Sequence, residues 1–177
     1  HGIVGNGWYD RTLNEHHFWK QSNRLVGGPK IWDKLREDRP GFKTANLFWW
    51  FNMYSTANYS VTPRPQYRSD GRKVPDCYSV PSNIRDKLQN DLGTFPLFDF
   101  WGPKSSIKSS QWIAEASLKV HEWHRPDLML IYLPHLDYVL QKYGPNTAEC
   151  KKSLNELDNV CKLLITSLES KGINVIA

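Results

Sequence analysis

The chain has 177 residues, of which 40% are hydrophobic, so it is long enough and apolar enough for one folded domain. Its formal net charge of +5 favours anionic partners such as phosphates, but it is too small to indicate nucleic acid by itself. No apolar run approaches the roughly 20 residues of a membrane-spanning helix, and three widely spaced cysteines fit neither a zinc knuckle nor a disulfide framework.

The first half of the chain predicts one helix, one strand and then an irregular segment. Residues 29–38 have helical spacing of apolar side chains, with Pro29 in the first turn, and Pro40 ends this pattern. Residues 43–51 are predicted to form a strand. Residues 60–81 are rich in Pro, Arg, Tyr and Ser, and a short helix is predicted at 82–92. Residues 60–103 together predict a small cap inserted into the main sheet.

Aromatic residues are concentrated at positions 47–54. Trp49, Trp50 and Tyr54 are candidates for a wall that stacks against a ligand, because aromatic faces stack on bases and sugars. Packing in the hydrophobic core is the alternative. Both interpretations remain open at this stage, since alternate residues of a strand point to opposite faces of a sheet.

The second half of the chain has clearer periodicity. Helices are predicted at 106–124 and 148–171, and apolar runs predict strands at 128–133 and 173–177. A strand, a helix and a second strand at this spacing are typical of a right-handed βαβ unit. We therefore expect an α/β fold with a mostly parallel sheet and helices on both faces.

The end of the 128–133 strand is the strongest functional signal. The run has no polar alternation, which predicts a strand buried on both faces of a parallel sheet. Pro134 stops this run, and His135 and Asp137 follow. In open α/β sheets, ligands bind beyond the carboxyl ends of the strands, and in an extended chain these two side chains would point to the same side. An imidazole and a carboxylate that face one site would suit zinc. Helix capping by Asp137 is the alternative interpretation.

Both ends of the chain are abrupt, with a loop-like start at His1 and an apolar strand that stops at Ala177. A domain that stops in mid-strand would leave an open sheet edge. We therefore expect residues 1–177 to be one partial α/β domain of a longer protein.

Three stretches of the chain resemble the type I phosphodiesterase/nucleotide pyrophosphatase family of the alkaline phosphatase superfamily. The first is similar to the family's His-Gly-Ile-x-x-Asn element and reads HGIVGN at positions 1–6. The second reads LPHLDYVLQKYGP at positions 133–145, and the third spans residues 157–176. The resemblance implies an alkaline-phosphatase-like fold.

The resemblance also implies site residues. Asn6 matches the family's asparagine, which donates to a non-bridging phosphoryl oxygen. Asp137 matches the aspartate of an Asp-x-x-x-His metal pair, but this chain has Gln141 at the histidine position. An amide oxygen is a poor zinc ligand and suits harder cations, so His135 is the favoured replacement. The implied cofactor is a divalent metal, with zinc preferred and only part of a two-metal site in this chain.

The function that the resemblance implies is hydrolysis of phosphodiester or nucleotide pyrophosphate bonds in a small phosphorylated substrate. The family's nucleophile, a Thr or Ser, would lie outside this segment, which alone would be inactive. One alternative is a non-catalytic relative that binds a ligand or partner through its aromatic surface, and Gln141 is its main support. A module that binds oligosaccharide or nucleic acid is the weakest alternative, because no basic stripe is present.

Overall fold

The computed structural model describes residues 1–177 and contains eight strands and six α-helices. The strands are β1 (Gly7–Asp10), β2 (Glu15–Phe18), β3 (Thr44–Leu47), β4 (Tyr59–Pro63), β5 (Gln66–Tyr67), β6 (Lys73–Val74), β7 (Cys77–Val80) and β8 (Leu128–Ile131). The helices are α1 (Ile31–Asp38), α2 (Asn83–Leu92), α3 (Leu97–Phe100), α4 (Ile107–His124), α5 (Leu136–Tyr143) and α6 (Ala148–Glu169).

A four-stranded sheet with the order β7-β4-β3-β8 forms the centre of the fold. Strand β3 pairs in parallel with both β4 and β8, and β7 joins antiparallel at one edge. The three parallel strands therefore end at the same edge of the sheet. The predicted α/β class with a mostly parallel sheet is confirmed.

The main hydrophobic core lies against one face of this sheet. Ala45, Leu47 and Val61 point into it from the strands and are fully buried. Helices α2, α3 and α4 supply the opposing apolar side chains, including Ile84, Leu97, Ile113 and Val120. A second cluster joins α4 to α6 through Ala114, Val160, Leu164 and Leu168.

Two predicted strands differ from those observed. The strand expected at 43–51 ends at Leu47, because Phe48 and Phe51 have φ angles of 60° and 51° in the left-handed region, which an extended chain does not visit. Strand β8 was expected to be buried on both faces. Its residues are only half-buried, because β8 is an edge strand whose outer side has no neighbour.

The cap expected at 60–103 is much smaller in the structure. Strands β4 and β7 belong to the central sheet, and α2 packs against the core. Only residues 64–76, which contain the two-stranded β5–β6 ribbon, leave the sheet. The Pro and Arg residues that predicted a continuous insertion therefore mark only a short segment between the paired strands β4 and β7.

Residues 173–177 do not form the predicted strand, so the expected βαβ unit with β8 is absent. Ile173 and Val175 pack against the α4–α6 cluster, whereas Ile176 is 99% exposed. An apolar run becomes a strand only when a neighbour supplies backbone hydrogen bonds, and none does so here. None of the six helices combines the length and the hydrophobicity that a membrane-spanning helix requires.

Candidate active site

A pocket of about 300 Å³ lies at the edge where the parallel strands end. Tyr132 and Pro134 line it just after β8, and Trp50 lines it just after β3. This is the position at which open α/β sheets bind ligands. The remaining lining residues come from four other segments and are Asn6, Trp19, Phe100, Trp101, Asp137, Tyr138 and Gln141. We call this cavity the strand-end pocket.

Helix α5 carries Asp137 and Gln141 into the strand-end pocket. The chain turns into this helix directly after Pro134, and His135 already has helical dihedral angles of −53° and −33°. Asp137 and Gln141 are one helical turn apart, and Nε2 of Gln141 donates to Oδ2 of Asp137 at 3.0 Å. Asp137 lies in the first turn, where a carboxylate is favourable to the helix dipole.

The expectation that His135 and Asp137 share one side was wrong. It required an extended backbone, but in a helix residues i and i+2 do not face each other. The His135 ring instead points to α6, where its Nε2 lies 3.0 Å from Oε2 of Glu156, and its side chain is only 7% exposed. His135 does not line the strand-end pocket.

The donor set in the pocket does not fit zinc. Zinc sites use several thiolate, imidazole or carboxylate ligands, and the pocket offers Asp137 beside two side-chain amides. No group of three or more His, Cys, Asp or Glu side chains in the chain could hold a metal ion. A carboxylate and an amide oxygen are ligands typical of harder cations.

Asn6 reaches the pocket through a short antiparallel hairpin that the sequence did not reveal. Strands β1 and β2 form this hairpin, and the carbonyl of Asn6 accepts a hydrogen bond of 2.9 Å from the backbone N–H of Trp19. Trp19 then stacks on Trp50, with ring centroids 6.1 Å apart. The first residues of the chain are thereby placed opposite α5, so Asn6 and Asp137 line the same pocket.

The aromatic wall differs from the predicted set of three residues. Trp50 lines the pocket, but Trp49 does not and is 40% exposed. Tyr54 also lies outside it, where its ring packs edge-on against Tyr78 and below the guanidinium of Arg24. Trp49 and Tyr54 are therefore not part of this wall.

Five aromatic residues that the sequence did not indicate complete the wall, namely Trp19, Phe100, Trp101, Tyr132 and Tyr138. They come from segments distant in sequence. Only their position just after a strand or helix end could have indicated Tyr132 and Trp101.

The loop after β3 that presents Trp50 is conformationally strained. Phe48, Phe51 and Tyr54 all have positive φ angles, and each such residue costs roughly 1–3 kcal/mol. Buried Asn52 braces the loop, since its Nδ2 donates to the carbonyls of Asn46 at 2.9 Å and Val61 at 3.0 Å. Strained residues that the surrounding structure holds in place are typical of ligand sites.

Tyr132 supplies a hydroxyl group that stays protonated. Burial raises the pKa of this hydroxyl above its ordinary value, the nearby Trp50 lowers it, and the Asp137 carboxylate raises it again. The net effect is an upward shift. Tyr132 is therefore a neutral hydrogen-bond donor at physiological pH, beside a carboxylate and two amides.

A larger groove of about 680 Å³ lies on the other side of α5, between α5 and α6. It contains the pair formed by His135 and Glu156 and side chains of both charge signs, such as Lys142 and Glu149. None of its lining residues comes from β3, β4 or the loops that follow them. The strand-end pocket is therefore the better candidate for chemistry.

Comparisons with known proteins point to the same family as the sequence motifs. The sequence profile of the type I phosphodiesterase / nucleotide pyrophosphatase family matches residues 1–177. An uncharacterized pyrophosphatase/phosphodiesterase of Schizosaccharomyces pombe is 26% identical over 179 residues, which cover 98% of this chain and 30% of that protein.

The fold is similar to that of phosphonoacetate hydrolase from Sinorhizobium meliloti 1021, which was crystallised with phosphonoacetate. The TM-score is 0.56 with 20% identity, over 94% of this chain and 38% of the hydrolase. At this identity the likeness shows the fold alone. The chain spans about a third of the length of each of these relatives.

Proposed function

Because the chain belongs to the type I phosphodiesterase/nucleotide pyrophosphatase family, we propose that it forms part of a hydrolase of phosphodiester or nucleotide pyrophosphate bonds. The observation that supports this most is the strand-end pocket, which gathers Asn6, Asp137 and Gln141 beside aromatic side chains. The proposal concerns the full-length protein, since the chain spans only part of its relatives.

The pocket residues have properties that suit a phosphoryl group. Asn6 supplies an amide donor for a non-bridging phosphoryl oxygen, where negative charge increases in the transition state. The protonated Tyr132 hydroxyl is a second neutral donor on the same wall. Trp19, Trp50 and Trp101 offer apolar faces against which the organic part of the substrate would stack. The nucleophile is expected outside residues 1–177.

We also propose, from the family resemblance, that Asp137 contributes a carboxylate oxygen to a divalent metal in the full-length protein. Zinc would need ligands from outside this chain, because His135 is engaged by Glu156 and Gln141 offers only an amide. A harder cation would suit this site better, because Asp137 and Gln141 already offer the carboxylate and amide oxygens that such cations bind.

A non-catalytic relative is the second candidate. The contact between Gln141 and Asp137 supports it, because the amide donates to Oδ2 of the carboxylate that matches a metal ligand of the family. Such a protein would keep the aromatic pocket and bind a phosphorylated ligand without turnover.

The test is hydrolysis by the full-length protein of bis(p-nitrophenyl) phosphate, a dinucleoside polyphosphate and phosphonoacetate. Replacement Trp50→Ala should raise KM for substrates with an aromatic group by roughly 5- to 150-fold, because base stacking contributes about 1–3 kcal/mol. The matched control is Trp49→Ala, which removes the same side chain from the next position, outside the pocket.

Three results would decide between the candidates. Turnover with a selective effect of Trp50→Ala would support the hydrolase. Binding of the substrates without turnover, across several divalent metals, would support the non-catalytic relative. Equal effects of the two tryptophan variants would show that the strand-end pocket is not the substrate site.

A further inference from the structure

The excursion at residues 64–76 carries the densest positive charge on the chain. It contains Arg64, Arg68, Arg72 and Lys73, and all four side chains are exposed. Strands β5 and β6 hold it as a two-stranded ribbon, and Nζ of Lys73 lies 5.7 Å from the ring centre of Tyr67. We call residues 64–76 the cationic ribbon.

Both carboxylates of the cationic ribbon are already paired. Asp70 accepts from Nε of Arg72 at 2.6 Å. Asp76 is buried at the base of the ribbon and accepts from Nε of Arg85 at 2.6 Å. Arg64, Arg68 and Lys73 therefore keep an uncompensated positive charge that faces solvent.

The topology places the base of the cationic ribbon at the sheet edge that carries the strand-end pocket. Strand β4 is parallel to β3, so the ribbon leaves the sheet at the edge where the pocket lies. Thr62 and Pro63, the last residues of β4, line a small cavity together with Trp50 and Trp101, which also line the strand-end pocket. The ribbon thus begins at the rim of the candidate active site.

We propose that the cationic ribbon recruits polyanionic phosphoesters to the strand-end pocket and thereby selects among substrates by their charge. The inference rests on the proposed function. Side chains on an exposed ribbon act through their long-range field, which raises the local concentration of anions and the association rate. The preferred substrates would carry charged phosphoryl groups beyond the one that is cleaved, unlike a singly charged phosphodiester.

The experiment compares the full-length protein with the double variant Arg64→Gln/Arg68→Gln. The substrates are a nucleoside triphosphate, which is polyanionic, and bis(p-nitrophenyl) phosphate, which carries a single charge. The control variant, Lys151→Gln/Lys162→Gln, removes the same charge from exposed positions of α6, which do not line the strand-end pocket.

The ribbon variant should lower kcat/KM for the triphosphate by roughly 3- to 10-fold at low salt, with kcat unchanged. For the singly charged diester, its kcat/KM should stay within about 2-fold of the parent value. The difference between the two substrates should shrink at about 0.15 M salt, where charges are screened over about 8 Å. The control variant should leave both substrates unaffected.

Equal losses on both substrates, or no loss on either, would overturn the charge-selection proposal while the hydrolase proposal stands. If the protein hydrolyses neither substrate, calorimetric titration with inorganic tripolyphosphate decides the inference separately. Weaker binding by the ribbon variant than by the control variant would support it, and equal binding would overturn it.

Discussion

Arg85 forms one ion pair with a buried carboxylate and another with an exposed carboxylate. The free energy that each pair contributes to folding can therefore be compared on the same arginine. Arg85 contacts Asp76 and Asp86 at the same distance of 2.6 Å. The Asp76 side chain is 8% exposed, whereas that of Asp86 is 67% exposed. The variants Asp76→Asn and Asp86→Asn therefore differ in burial and in the number of donors on the carboxylate, which is five for Asp76 and one for Asp86.

The expected cost of Asp76→Asn follows from its hydrogen bonds. Five donors converge on the carboxylate: the Cys77 backbone N–H, two from the Arg85 guanidinium, and the side chains of Gln66 and Gln89. An asparagine keeps one oxygen, so two donors would face its NH₂ group. At roughly 1–3 kcal/mol for each unsatisfied polar group, the loss should be about 3 kcal/mol. Asp86→Asn should cost less than about 1 kcal/mol, as for other exposed pairs.

The assay is urea denaturation of the full-length protein, followed at several pH values. Burial raises the pKa of Asp76, but hydrogen bonds from Arg85, Gln66 and Cys77 together outweigh it and hold the pKa below its usual value. Stability from a carboxylate with a lowered pKa is fully present above the unfolded pKa of about 3.9 and is lost as pH falls through the folded pKa. The difference between parent and Asp76→Asn should therefore shrink below about pH 4.

Similar losses of unfolding free energy for the two variants at pH 7 would refute this reasoning. The N–O distance, which the two pairs share, would then determine how much each pair stabilises the fold, and the surroundings of the carboxylate would not. A loss for Asp76→Asn that stays constant down to the acid limit would likewise show that ionisation of this carboxylate is not its cause.

Three further predictions concern the site and the response to acid. Asn6→Ala should lower turnover by roughly 10²-fold, as for other oxyanion donors, and steady-state kinetics that show an unchanged rate would reassign Asn6 to turn formation. Gln141→His should tighten zinc binding measured by calorimetry, because it places an imidazole beside the Asp137 carboxylate, and an unchanged affinity would exclude Asp137 as a ligand. Burial and the nearby Lys87 and Lys43 lower the pKa of His124, so the folded state resists its protonation and stability should fall as pH drops below about 6.5. His124→Phe, which keeps the stacking on Tyr59, should reduce that fall in thermal melts at pH 5 and 7.5, and an unchanged pH dependence would remove His124 as its source.

Much of the secondary structure could be predicted because its signals are local. Helices α1, α2, α4 and α6 lie within a few residues of their predicted bounds, since apolar spacing and end residues act over one or two turns. Gly93, for example, ends α2 with a φ of 78° that suits glycine. The apolar run at 128–133 was an equally local signal, and it predicted strand β8. The family motifs were local as well, and the family they indicated is confirmed by the match over the whole chain.

The candidate site depended on information that no local window contains. Hydrophobic periodicity could not show that His135 would turn into a helix and face Glu156, because α6, which α5 contacts, is a separate segment of the chain. Nor could it show that β8 would be an edge strand or that residues 173–177 would lack a pairing partner.

The sequence itself therefore determined the motif around Asn6 and the tendency of each segment to form a helix or a strand. Tertiary structure alone decided which side chains share the strand-end pocket. Asn6, Trp50, Trp101 and Asp137 meet there because parallel strands end at one edge and a hairpin folds back across it. Contacts between distant segments follow from the packing of the whole chain, which no local pattern of residues records.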